Sequence, residues 1–187
     1  MEEETLKFYI QDRWVNWMKK FQSEEFDSFK LGKESDLKDF DNLERDIILA
    51  YLVLIERVEK KRLGKKKSLK AVSDMLEVIL EIPPIENEDV KTLIRMVQFS
   101  LFTSGRTCIT YIKKDFDAEA KPNHYVKEAK KHLMKEEIDD AFESVTRAGA
   151  LILSGKKLNV KSEKGEYLSD WLDSLDSLQS VIEMDRS

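Results

Sequence analysis

The sequence predicts an all-α protein, a single-domain helical bundle of about seven helices that occupies residues 1–187. The chain contains only 6 Gly and 3 Pro, which is too few for the many turns of an all-β fold. Apolar residues recur at intervals of three and four along most of the chain. No segment of convincing length shows the alternation of a β-strand. With 41% apolar residues, the chain is able to bury a sizeable core.

Residues 4–21 are predicted to form an amphipathic first helix. Leu6, Ile10, Trp14, Trp17 and Phe21 fall in one narrow stripe at 100° per residue. Because large apolar side chains are costly to expose, we expect this stripe to pack on the central helix. The alternative is a protein interface, since Trp is enriched in binding hot spots.

The second helix is predicted over residues 41–63, at the centre of the bundle, with a start at Ser35 or at Asp41. Asp41-Asn42-Leu43-Glu44 has the form of a capping box. The run from Ile47 to Ile55 is apolar in every direction, which is typical of a buried helix. Gly64 is expected to end the helix in the left-handed conformation.

Two further helices are predicted from their capping residues. Ser68 is expected to cap a third helix that runs to Ile82, and Asn87 to cap a long fourth helix. Gly105 lies on the apolar stripe of the fourth helix, where glycine costs about 1 kcal/mol relative to alanine. It therefore indicates the close approach of another helix, or a break between two shorter helices.

The last part of the chain is predicted to form a helical hairpin and a final helix. The hairpin occupies residues 122–155, with helices from about Asn123 to Lys135 and from about Glu137 to Ser154. The final helix covers about 165–184, within an acidic segment at 162–187. Its apolar stripe consists of Tyr167, Trp171, Leu175, Leu178 and Ile182.

Two segments show family resemblances. The hairpin from Tyr125 to Gly155 resembles a single tetratricopeptide-type helix pair, although Glu136 stands where such turns usually have glycine. With no second copy in the chain, this resemblance implies helix-pair geometry and not a repeat array. Its small positions are Ala129, Ala141 and Ala148, and its larger apolar positions are Tyr125, Ile138 and Val145.

The segment from Tyr9 through Arg13-Trp14-Val15-Asn16-Trp17-Met18-Lys19-Lys20-Phe21 resembles an uncharacterised archaeal family of similar length. The resemblance implies an archaeal cytoplasmic protein and carries no known activity.

Several classes of protein are disfavoured by composition. One Cys excludes an intrachain disulfide framework and suits a reducing cytoplasm. The nine apolar residues from Ile47 to Ile55 are too few to cross a bilayer, and the acidic start of the chain is unlike a signal sequence. No glycine-rich phosphate loop is present. We therefore predict a cytoplasmic protein with no membrane association and no cofactor.

Candidate catalytic and metal-binding residues are few. His124, Glu128 and His132 share one side of a helix, where two imidazoles and a carboxylate could bind an ion. The neighbouring lysines would repel a cation, so a solvated helix face is favoured. Cys108 lies at the centre of an apolar stripe and is expected to be structural. We predict no catalytic residue and no metal site.

The clearest functional signal is the basic loop at residues 60–70. Such a cluster can follow a phosphate backbone, but it lacks the interleaved aromatic residues that stack on bases. Any contact with nucleic acid would therefore be to the backbone. The positive residues of the loop are Lys60, Lys61, Arg62, Lys65, Lys66, Lys67 and Lys70.

The favoured function is a non-catalytic protein-interaction module, an adaptor or regulatory subunit of a cytoplasmic complex that binds a protein partner. The candidate interface residues are Trp14, Trp17, Phe21 and Trp171. The alternative is an RNA- or ribosome-associated protein that uses the basic loop. A third hypothesis is an enzyme of unrecognised helical type. The formal net charge of −5 resides in the acidic segment, which suggests that this segment docks on the basic loop and masks it.

Overall fold

The structure, a computed structural model, describes residues 2–32, 37–81, 84–159 and 166–185, and the side chains within these ranges except those of residues 2–10 and 166. Some predictions concern residues outside this description. They are the side chains of Leu6 and Ile10 in the first helix, the alternative start of the second helix at Ser35 and the end of the third helix at Ile82. The described residues contain no strand, and the all-α prediction is confirmed. The helices are α1 (Glu2–Phe21), α2 (Lys38–Glu59), α3 (Lys65–Leu80), α4 (Glu88–Lys113), α5 (Pro122–Leu133), α6 (Ile138–Leu153) and α7 (Glu166–Asp185).

The centre of the bundle is α4, not α2 as the sequence suggested. It packs against α2, α3, α6 and α7. Its inner face includes small polar residues, so the apolar pattern alone underestimates how much of α4 is buried. Thr103, for example, is fully buried, and its hydroxyl donates to the Phe99 carbonyl at 3.1 Å. By contrast, the apolar run of α2 leaves Val53 exposed.

The ends of α2 differ from the predicted ends. The helix begins at Lys38, before the proposed capping residue Asp41, and its regular part ends at Glu59. Lys61 takes the left-handed conformation at φ 55°. The Arg62 amide then donates to the Arg57 carbonyl at 2.8 Å, a bond typical of helix termination.

Gly64 and Ser68 have other roles than those predicted. Gly64 is extended and precedes the first residue of α3, so it caps the start of α3 and does not end α2. Ser68 is buried inside the first turn of α3, where its hydroxyl donates to the Gly64 carbonyl at 2.9 Å. Both predictions were wrong because the two helices are joined by a turn that begins four residues before Gly64.

The consecutive helices α5 and α6 are joined by a short turn and lie in close contact. Ala129, Ala141 and Ala148 are fully buried, which allows close packing of the two backbones. Glu136, at φ 62°, adopts the left-handed conformation that glycine usually takes in such turns. Gly155, at φ 95°, follows the end of α6.

Candidate functional site

Three of the four predicted interface side chains are core residues. Trp14, Phe21 and Trp171 are buried, and the Phe21 ring stacks on Phe40 of α2 with centroids 4.5 Å apart. Trp17 is partly buried, and its indole N–H donates to Asp46 of α2 at 3.2 Å. A partner could reach Trp14, Phe21 or Trp171 only after these helices moved apart.

A different group of aromatic residues reaches the surface where α4, α6 and α7 meet. Phe102 of α4 stacks on Phe142 of α6, with ring centroids 5.7 Å apart and an interplanar angle of 9°. The Phe142 ring lies 5.4 Å from Trp171 of α7, which lies 6.1 Å from Tyr167 one turn earlier. The four rings therefore form a continuous row across three helices.

This row is buried at Trp171 and exposed at its Tyr167 end, and two further apolar residues are exposed one turn before Phe102 and Phe142. Tyr167 is 57% exposed, whereas the sequence placed it on the inner stripe of the last helix. Phe99, one turn before Phe102, is 37% exposed, and Ile138, one turn before Phe142, is 42% exposed. We call Phe99, Phe102, Ile138, Phe142 and Tyr167 the aromatic surface.

Sequence reasoning missed most of the aromatic surface, although a signal was present. Phe99 and Phe102 lie off the apolar stripe of α4, and large apolar residues away from a core stripe mark a second contact face. The contact of Phe102 with Phe142, about forty positions later, depends on helix packing and cannot be found from periodicity.

The three helices of the aromatic surface also carry exposed charged residues. Arg95 and Arg106 lie one turn before Phe99 and one turn after Phe102, and both are exposed. Asp139 on α6 and Asp170 on α7 are also exposed.

The predicted basic loop is a corner between two helices. Residues 60–62 follow α2, and residues 65–67 form the first turn of α3. All seven predicted positive residues are exposed. The Lys65 ammonium donates to the Lys113 carbonyl at 3.3 Å, which places the exposed Lys113 and Lys114 at the end of α4 beside them. We call this group, with the seven predicted residues, the basic corner.

Some charges of the basic corner are balanced locally. Lys60 pairs with Glu56, and its hydrogen bond lowers the pKa of that carboxyl. Lys70 pairs with Asp74 at 2.6 Å. The first turn of α3 nevertheless contains no acidic residue, so its lysines add to the positive end of the helix dipole.

Two residues of α7, the described part of the acidic segment, contact elements outside the basic corner. Ser177 of α7 donates to Glu44 in the N-terminal part of α2, roughly 24 Å from Lys60 at 1.5 Å per residue. Glu183 pairs with Lys157 at 2.9 Å. The masking hypothesis therefore has no support from the packing of α7.

A family match covers residues 7–187. The chain belongs to a family of uncharacterized proteins conserved in archaea, DUF2150. The resemblance seen from Tyr9 to Phe21 is thereby confirmed. Comparison with curated proteins and with solved structures gave no match. Among the described helices of this DUF2150 chain, none has the length and apolar character needed to cross a membrane.

The two histidines of this DUF2150 chain do not converge. His124 pairs with Glu128 at 3.3 Å, whereas His132 Nδ1 lies 2.6 Å from Glu137 Oε2. Asp140 is close enough that one ligand atom from each of His132, Glu137 and Asp140 falls within 4.8 Å of the others. These groups could ligate a divalent cation, but the hydrogen bond from His132, which lowers the pKa of Glu137, accounts for the short distance between this pair.

Cys108 is fully buried in α4. Burial raises the pKa of its thiol to about 12, because a thiolate is poorly stabilised in apolar surroundings. The side chain is therefore a packing element with an unreactive thiol.

Proposed function

We propose that the chain is a helical protein-interaction module, an adaptor or regulatory subunit of a cytoplasmic complex, and that it binds a protein partner through the aromatic surface. The observation that carries the proposal is the row of rings across α4, α6 and α7, with Phe99, Ile138 and Tyr167 each more than one-third exposed. Contiguous exposed apolar side chains of this kind mark interaction sites. Aromatic residues and Arg are also enriched in protein interfaces.

The aromatic surface is held by rigid elements. Leu101 of α4, Val145 of α6 and Leu175 of α7 are fully buried, and they fix the three helices relative to one another. A partner would therefore meet side chains that are already positioned. Little ordering of the chain is needed on binding, which favours affinity.

The proposal is tested by affinity purification of the tagged chain from cells that express it. We expect the wild-type chain to recover a protein partner in stoichiometric amount, and Phe99→Asp combined with Tyr167→Asp to lose it. Met134→Asp is the matched control, because Met134 is 87% exposed in the turn between α5 and α6. Equal recovery by the wild-type chain and the double variant, with unchanged circular dichroism, would contradict the proposal.

A second candidate function is the binding of RNA phosphate backbone by the basic corner. It is favoured by the contact between Lys65 and the Lys113 carbonyl, which adds the end of α4 to the positive residues predicted from the sequence. A positive surface formed by three helix ends can contact several phosphates at once. Such binding is sequence-independent and weakens strongly with salt.

Fluorescence anisotropy with a labelled single-stranded RNA at low salt tests this second function. Replacement of Lys65, Lys66 and Lys67 by Glu is expected to abolish binding. Single Ala substitutions at these positions should each reduce the slope of log K against log salt by about 0.7. A control with the same change in charge, at the exposed Lys127, Lys131 and Lys135, should retain binding. Equal loss in both triple variants would indicate an effect of net charge and exclude the basic corner as the site.

A further inference from the structure

We propose that the basic corner binds single-stranded RNA and that Phe116 stacks on one of the bases. The inference rests on the second candidate function, since it names the form of RNA that the same corner binds. Residues 60–70 contain no aromatic side chain, so the sequence predicted contact with the phosphate backbone alone. The fold brings an aromatic pair to this corner from another part of the chain.

The aromatic pair consists of Tyr111, in the last turn of α4, and Phe116, which follows that helix. Their rings are nearly parallel, with centroids 5.9 Å apart and an interplanar angle of 17°. Tyr111 is buried, and its hydroxyl donates to Glu59 at the end of α2. Phe116 is only partly buried, so part of its ring remains open to solvent. The pair is therefore a stack whose inner ring is fixed and whose outer ring is accessible.

Positive groups of the basic corner lie next to this stack. The Lys114 ammonium lies 3.9 Å from the centroid of the Tyr111 ring and 6.0 Å from that of the Phe116 ring. The carbonyl of the residue before Lys114 accepts from the Lys65 ammonium at 3.3 Å, which brings the first turn of α3 to the same place. Cations beside an accessible ring match the phosphates and the bases of a single strand.

The acidic residues on either side of Phe116 favour a base over a phosphate at the ring. The Asp115 carboxylate accepts from Arg147 at 3.5 Å, and Asp117 Oδ1 accepts from the amide two residues later at 2.9 Å. Both side chains are exposed, and their negative charge repels a phosphate placed directly at Phe116. The uncharged base is therefore the part of a nucleotide that fits at the ring, with its phosphate toward Lys114.

Contact with a base distinguishes a single strand from a duplex. The bases of a duplex are stacked on one another, whereas unpaired bases are free to stack on aromatic side chains. Each such stack changes affinity by about fivefold or more. The lysines of the basic corner attract either form of RNA through its phosphates, so the selection of single strands depends on the ring.

Fluorescence anisotropy with a short labelled oligoadenylate at low salt tests the stack. Phe116→Leu keeps an apolar side chain beside Tyr111 and removes the ring, so it should weaken binding about fivefold or more. Phe116→Trp restores a ring and should bind as the wild-type chain does. The matched control is Phe142→Leu, because Phe142 is a partly buried aromatic residue of α6, and it should retain binding. Circular dichroism checks that each variant is folded.

Inorganic polyphosphate, which has phosphates but no bases, provides the second measurement, and a duplex RNA of the same length provides the third. Phe116→Leu should leave the affinity for both unchanged. The lysine variant, in which Lys65, Lys66 and Lys67 are replaced by Glu, should lose binding to all three probes. An equal loss of oligoadenylate and polyphosphate in Phe116→Leu would overturn the inference, because the substitution would then act through the contacts to phosphate.

The outcomes also separate this inference from the second candidate function. Wild-type affinity of Phe116→Leu for oligoadenylate, together with loss of binding in the lysine variant, overturns the base stack and leaves the binding of phosphate backbone standing. Undiminished binding of oligoadenylate by the lysine variant overturns both.

Discussion

Glu44 illustrates how one side chain couples three helices. It lies on α2 and accepts hydrogen bonds from Ser100 of α4 and Ser177 of α7. Burial raises the pKa of the Glu44 carboxyl, because desolvation disfavours its charged form more than the two hydrogen bonds favour it. Ionisation of this group therefore costs more in the folded chain than in the unfolded chain.

The pKa of Glu44 predicts a pH-dependent effect of Glu44→Gln. A raised pKa in the folded state contributes stability below the unfolded value of 4.5, and this contribution is lost as the pH rises through the folded value. Glutamine cannot ionise, so the variant does not lose this contribution to the free energy of unfolding as the pH rises. The free energy of unfolding of the variant, relative to wild type, should therefore increase from about pH 4 to about pH 7. Urea denaturation at both pH values measures it, and a pH-independent difference would contradict the account.

Gly105 confirms the predicted close approach of another helix, within a continuous α4. A Cβ at this position would lie 2.7 Å from Leu76 Cδ2 of α3 and 2.8 Å from the Tyr51 hydroxyl of α2. Both neighbours are buried, so they have little room to move.

The substitution Gly105→Ala is expected to destabilise the chain. Overpacking costs about 1–3 kcal/mol, and the better helix propensity of alanine returns about 1 kcal/mol. A net loss of up to about 2 kcal/mol in the free energy of unfolding is expected from urea denaturation. The control is Gly64→Ala, where no atom lies within 4 Å of the added Cβ. If Gly105→Ala proved as stable as this control, tight packing at position 105 would be refuted.

At the scale of the element, Asn87 shows which helix ends are readable from sequence. Its side-chain oxygen accepts from the amides of Asp89 and Val90 at 2.9 and 3.2 Å, as predicted for a helix cap. The side-chain nitrogen also donates to the carbonyls of Phe26 and Phe29. The cap depends only on neighbouring residues, whereas the second set of bonds depends on tertiary packing.

Two substitutions separate the roles of Asn87. Asn87→Ala removes both the cap and the donor, and we expect a loss of about 2 kcal/mol in the free energy of unfolding. Asn87→Asp keeps the capping oxygen and removes the donor, so its loss should be smaller. Thermal or urea denaturation of both variants checks the order. An aspartate variant as unstable as the alanine variant would show that the cap contributes little.

The ends of α2 and α3 were less predictable for the same reason. Gly64 and Ser68 have the local chemistry of a helix stop and a helix start, but Lys61 takes the left-handed position instead. Several residues here have the local chemistry to end or begin a helix. Which of them does so depends on the turn between α2 and α3, and therefore on how α3 packs against α4. The apolar run of α2 was similarly ambiguous, because periodicity does not show how many neighbours a helix will have.

For the molecule as a whole, the described acidic helix α7 is part of the core. The acidic α7 supplies the fully buried Leu175 and Leu178 to the core, so it is a structural part of the bundle. The contact of Ser177 with Glu44 places this point of α7 roughly 24 Å from Lys60, compared with a Debye length of about 8 Å at physiological salt.

Neutralisation of α7 is therefore expected to leave the basic corner unaffected. Replacement of Asp173, Asp176 and Asp185 by Asn should change RNA binding at physiological salt by less than about twofold, because salt screens charges at this distance. Fluorescence anisotropy measures the affinity. A strongly increased affinity in this variant would revive the masking hypothesis.

Local sequence signals predict the all-α class, most helix positions, the cap at Asn87 and the buried Cys108, whereas at Gly105 they leave a close helix approach and a break in the helix as alternatives. These properties follow from local periodicity, capping chemistry and side-chain size, which act over a few residues. Tertiary structure decided that α4 is central and that Trp14, Phe21 and Trp171 are buried. It alone brought Phe102 to Phe142 and Lys65 to Lys113, because contacts between distant residues depend on how helices cross, and helical periodicity does not encode that crossing.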